Sequence, residues 1–158
     1  LKEVIAALNE VHKENIIHRD ISPDNIMVTR EGRAKVIDFG AAKEYHSGKD
    51  NSILLKHGYA PIEQYDAHGK QGPWTDVYSL CGSIFYLLTG RKPQRAYERV
   101  SEDKMVSLRQ MGVHISEEKS QAVEKGLSVQ IEDRYQQMAD LYYDLYGETL
   151  SGEMGKQS

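Results

Sequence analysis

The sequence holds a single cysteine, Cys81. One thiol cannot close an intramolecular disulfide, and it excludes a zinc site built on cysteine pairs. Histidine offers no substitute. His12, His18, His46, His57, His68 and His114 show no ligand spacing on one helix face. Basic residues are outnumbered, with 20 Lys and Arg against 24 Asp and Glu and a net charge of −4. A net-acidic chain has no global attraction for nucleic acid or anionic lipid. The ten tyrosines lack a surrounding basic run, so they do not read as a stacking platform for bases. No apolar run reaches the ~20 residues that a bilayer-crossing helix needs. Internal repeats and low-complexity runs are also missing.

What is present is the composition of an ordinary folded protein, 39% apolar and 28% charged over 158 residues. That length suits one domain around one core. Leu1, Val4, Ile5, Leu8 and Val11 follow the spacing of one helix face, which predicts a helix over 1–14. No N-cap precedes it, so the sequence is expected to be a piece of a longer protein. Two short apolar runs, 26–28 and 34–37, flank a turn containing Gly32 and predict a small β-hairpin. Residues 38–72 show no sustained periodicity, and a stretch of that kind is usually functional or mobile. Residues 76–88 are apolar nearly all round, the mark of a buried central helix, which Gly90 and Pro93 end. Further helices are predicted over 116–125, capped by Ser116, and over 138–146, stopped by Gly147. The expectation is a mainly α (α+β) domain over 1–147 and a polar tail over 148–158.

The chemistry concentrates in one loop, His18-Arg19-Asp20-Ile21-Ser22-Pro23-Asp24-Asn25. Eighteen residues after Asp20 comes Asp38-Phe39-Gly40, with the strand-turn-strand pattern between them. In that order the two strings resemble the HRD-x-x-x-x-N catalytic loop and the DFG motif of the protein kinase family. Pro61-Ile62-Glu63 resembles the family's Ala-Pro-Glu motif, with two of three residues changed. Trp74-Thr75-Asp76 is similar to the segment whose Asp braces the catalytic loop, although an N-cap role for Asp76 is compatible with it. Asp133-Arg134-Tyr135 is similar to the segment whose Arg pairs with that Glu. The resemblance runs from Leu1 to Tyr146, and the loop wording is most like bacterial members.

The resemblance implies a kinase-like C-terminal lobe: helices plus a small catalytic β-hairpin. It implies a parent protein that transfers the γ-phosphate of ATP to Ser or Thr hydroxyls of protein substrates, using Mg²⁺. Asp20 falls at the base position. Asn25 and Asp38 are hard oxygen donors suited to Mg²⁺, and with Ser22 they line the nucleotide side. Glu63 and Arg134 would form a buried ion pair. Arg19 would either pack structurally or receive a phosphate carried by Tyr45, Ser47 or Ser52. ATP use and the lone thiol imply a cytoplasmic location, with any membrane anchor outside this segment.

Two departures qualify the resemblance. Serine/threonine kinases usually carry Lys where this chain has Ser22, and tyrosine kinases usually carry Arg where it has Asp24. Conversely, the position usually held by Thr in the peptide-docking loop is Lys56. The two residue types look exchanged, and Lys56 is expected to reach back to Asp20 as the missing catalytic cation; the alternative is a solvated loop lysine. The family's Gly-rich loop, strand Lys and helix Glu are absent, as is the whole N-terminal lobe that carries them. The segment alone is therefore expected to be inactive and to expose apolar surface that invites self-association. Two other readings stay open. A small-molecule phosphotransferase of the aminoglycoside or choline kinase type would lack Glu63 and its Arg. A pseudokinase acting as a binding module would not need Asp20, Asn25 and Asp38 together.

Overall fold

The structure, a computed structural model, describes residues 1–36, 43–44 and 56–150. Helix α1 (Lys2–Lys13) buries Val4, Ile5 and Leu8, as its periodicity predicts, together with the polar Asn9 and His12. Asn15, at φ 61°, turns the chain into strand β1 (Ile16–Ile17), which pairs antiparallel with β4 (Lys43–Glu44). The predicted hairpin is present. β2 (Ile26–Val28) and β3 (Ala34–Val36) pair antiparallel with Ile26 opposite Val36 and Met27 opposite Lys35. A single turn of 3-10 helix, Pro23–Asn25, leads into β2.

The remainder is helical: α2 (Ile62–Tyr65), α3 (Pro73–Thr89), α4 (Ala96–Ser101), α5 (Glu117–Gly126) and α6 (Met138–Tyr146). α3 is the central helix, with every residue from Thr75 to Phe85 buried. It begins three residues earlier than the apolar run, because Pro73 occupies the first helical position, where a missing N–H leaves nothing unsatisfied. Asp76 therefore stands one turn inside the helix and is not its cap. Gly90, at φ 74°, closes α3 in the left-handed conformation. Ser116 caps α5 as expected, its Oγ accepting from the Lys119 N–H at 3.2 Å. β4 and α2 fall within the stretch 38–72 without visible periodicity, and α4 in a stretch given no element, since elements of two to six residues are too short to display a period.

The core joins α1, α3, α5 and α6 through Ile5, Leu8, Val77, Leu80, Val123 and Leu141. The stretch read as a polar tail begins packed. Leu150 is buried, and Glu148 accepts from Lys2 Nζ at 2.9 Å and from the Tyr142 hydroxyl at 3.0 Å. Among the described residues no helix is long and apolar enough to cross a membrane.

Where α3 meets α5, Gly126 lies against Cys81; a Cβ on Gly126 would fall 2.2 Å from Cys81 Sγ. Burial pushes the Cys81 thiol up to about 12, so it stays protonated and inert at neutral pH. Gly126→Ala should lower stability by about 1–3 kcal/mol through overpacking, read by denaturant unfolding. Adding Cys81→Ala, which removes the clashing sulfur, should recover part of that loss.

Candidate active site

The loop from His18 to Asn25 is held from beneath by one carboxylate. Asp76 is fully buried. Its Oδ2 accepts the His18 N–H at 2.8 Å and its Oδ1 accepts the Arg19 N–H at 3.0 Å. His12 Nε2, from α1, reaches Oδ2 at 2.7 Å. A buried carboxylate needs such donors, because desolvation without them is costly. The bracing reading of Asp76 is the one the geometry bears out.

Arg19 sits at φ 71°. A left-handed non-glycine residue costs about 1–3 kcal/mol and persists only where its surroundings hold it. Here Asp76 takes its N–H, and Gln64 Nε2 donates to its carbonyl oxygen at 3.0 Å. The kink lifts the next residue, Asp20, to the rim of the loop, where its side chain is 18% exposed. His18 is fully buried, and its Nδ1 accepts the Asp20 N–H at 3.1 Å. His18 is thus a packing and hydrogen-bonding residue.

Asn25 turns its amide nitrogen to Asp20, donating to the Asp20 main-chain oxygen and to Oδ2 at 3.4 Å. Asp20 offers only acceptors on that side, so the Asn25 amide oxygen faces the other way. An uncharged oxygen donor there fits a hard cation such as Mg²⁺. Asp38, read as the second such ligand, lies outside the described residues, as do Phe39, Gly40, Tyr45, Ser47 and Ser52.

Lys56 Nζ donates to Ser22 Oγ at 3.0 Å and lies 3.5 Å from Asp20 Oδ1. The sequence-predicted residues Asp20, Ser22, Asn25 and Lys56 therefore form one contact cluster at the loop. Asp24, by contrast, is exposed on the 3-10 turn.

Behind this cluster lies the expected ion pair. Arg134 Nη1 and Nη2 reach Glu63 Oε2 and Oε1 at 2.7 and 3.3 Å, and both residues are buried. The remaining donors of Arg134 go to the carbonyl oxygens of Trp74, Ser128 and Val129 at 2.9–3.0 Å. Thr75 Oγ1 donates to Glu63 Oε2 at 2.9 Å and accepts the Gly72 N–H at 3.2 Å. Gly69 closes the same corner; any Cβ there would sit 2.0 Å from the Glu63 carbonyl oxygen. Ser79 Oγ donates to the Tyr59 carbonyl at 2.8 Å and ties the segment after Lys56 to α3.

Four of these supports, His12, Gln64, Thr75 and Ser79, were given no supporting role from sequence. His12 alone carried a signal, a polar residue four positions after Leu8 on the apolar stripe of α1. The other three act through partners brought together only by folding.

Comparison with known proteins gives a family and a fold. The sequence profile described as "Protein kinase domain" matches residues 1–144. Serine/threonine-protein kinase F of Synechocystis sp. is 32% identical over 161 residues, covering 99% of this chain and 32% of that protein. Serine/threonine-protein kinase PknB of Mycolicibacterium smegmatis is 33% identical over 159 residues, covering 90% of this chain and 25% of that protein. The solved structure titled "PpkA-294 apo form" superposes with a TM-score of 0.76 at 36% identity, over 89% of this chain and 50% of that one. The chain thus spans a quarter to a third of these curated relatives and half of the solved chain.

Arg134→Met would leave the Glu63 carboxylate buried without its cation. The expected loss is about 3–5 kcal/mol in denaturant unfolding. Adding Glu63→Gln should return part of it, because no uncompensated charge then remains.

Proposed function

The chain belongs to the protein kinase domain family, and from that premise we propose that it forms the C-terminal lobe of a protein serine/threonine kinase. The observation that carries this reading is the Asp20 carboxylate. It stands at the rim of a loop braced by Asp76, with Asn25 and Lys56 beside it. The relatives' names support the choice of serine and threonine over tyrosine.

In this reaction the substrate hydroxyl oxygen bonds to the γ-phosphorus of ATP. The bond from that phosphorus to the bridging oxygen breaks, and ADP leaves with the electron pair. The hydroxyl proton passes to Asp20. Asn25 and Asp38 would hold Mg²⁺, which would supply charge neutralisation at the phosphates. Asn25 also orients Asp20 through its amide hydrogens. Asp76 and Gln64 keep the Asp20 backbone raised in a fixed pose, which limits the loop to one productive geometry.

The nucleotide-covering lobe is expected in the full-length protein, and the segment alone is inactive on this reading. Apolar side chains left open to solvent, including Met27 at 52% and Leu87 at 53% exposed, favour self-association of the isolated segment. ATP use carries with it a cytoplasmic place of work.

The test uses the full-length protein and γ-labelled ATP with Mg²⁺, offered a generic protein substrate and the protein itself. The wild type should transfer label, and Asp20→Asn should lower the rate by at least about 10²-fold, the usual share of a general base. Folded protein that transfers nothing in either form refutes the reading in favour of a binding module.

A further inference from the structure

We propose that Lys56 is a catalytic residue of this site: its ammonium group binds the γ-phosphoryl during transfer, and Ser22 is the positioning residue that seats it. The inference rests on the kinase reading above and assigns the cation that reading lacks. Phosphoryl transfer is accelerated mainly by fixed positive charge where the phosphate oxygens gather electron density. At the two loop positions where the family usually carries a cation, this chain holds Ser22 and Asp24. Among the described residues, Lys56 is the one cation within 4.0 Å of the Asp20 carboxylate.

The geometry distinguishes this role from a simple surface ion pair. An ammonium group has three hydrogens. One is directed to Ser22 Oγ at 3.0 Å, the shorter of the two contacts, while Asp20 Oδ1 stays at 3.5 Å. The other Asp20 oxygen, Oδ2, meets only the Asn25 amide at 3.4 Å, so the carboxylate keeps lone pairs for the hydroxyl proton and Lys56 keeps a donor for a phosphate. Ser22 is 1% exposed, so its hydroxyl is a built-in seat and not a solvent contact.

The backbone of Lys56 is equally fixed. Its carbonyl accepts the N–H groups of Tyr59 and Ala60, both at 3.0 Å. Tyr59 is tied to α3 by Ser79, and two residues past Ala60 the chain enters α2, which carries Glu63 into its pair with Arg134. The cation thus comes from a segment 34 residues beyond its seat and reaches the site only when that segment is folded onto α3.

The test is a residue exchange in the full-length protein, with kcat and KM for ATP measured for each variant. Lys56→Ala and Lys56→Met should lower kcat by about 10²-fold or more, the usual cost of one transition-state charge contact, with KM for ATP changed far less. Ser22→Lys combined with Lys56→Thr, which moves the cation to the loop, should return kcat to within about tenfold of wild type. Thermal unfolding of each variant separates lost chemistry from lost fold, and the exchange variant is a gain of activity that no unfolded protein can mimic. The proposal is overturned if Lys56→Met keeps kcat within about threefold of wild type while Asp20→Asn abolishes transfer; the kinase reading then survives without it. It is overturned equally if the exchange variant is folded and no more active than Lys56→Ala. Wild type that transfers no phosphate at all removes the kinase reading and this proposal together.

Discussion

A buried carboxylate in the first turn of a central helix organises this molecule. Asp76 has no solvent around it, so its charge has to be met by protein donors. Two of the three it finds are consecutive backbone N–H groups of the loop that holds Asp20, and the third is His12 of α1. The requirement works in both directions. The carboxylate would be intolerable without the loop, and the loop's left-handed Arg19 would relax without the carboxylate.

The same helix turn serves the other half of the site. Within three residues, Trp74 offers a carbonyl to Arg134, Thr75 a hydroxyl to Glu63, and Asp76 its carboxylate to the loop. One rigid element therefore references both the residue that would take a proton and the segment that carries Lys56. Ridges of buried apolar side chains on the rest of α3 lock that turn against α5 and α6. Precision at the surface is inherited from close packing below it.

Much of this was legible in the sequence. The helix faces of α1, α3, α5 and α6 announced themselves by periodicity, and Ser116, Gly90 and Gly147 marked their ends, because capping and left-handed closure depend on local residue types. The loop and the Glu63–Arg134 pair were readable through motif resemblance. The start of α3 was misplaced because Pro73 and Trp74 carry no apolar period, and α4 was missed because six residues span less than two turns. Gln64 and Ser79 gave no signal, since their value lies wholly in carbonyl partners 45 and 20 positions away.

The sequence by itself determined the motif residues that carry the family resemblance, the helical class of the fold, and the presence of serine at position 22 and lysine at position 56. Those are properties of local pattern and of chemical identity. Only the tertiary structure decided that Asp76 braces the loop instead of capping its own helix, that Arg134 directs its donors to one carboxylate and three carbonyls, and that Lys56 meets Ser22 at 3.0 Å. Each of those outcomes depends on groups far apart in the chain arriving within hydrogen-bond distance. That distance is set by how α1, α3 and α5 pack, which no local stretch of sequence contains.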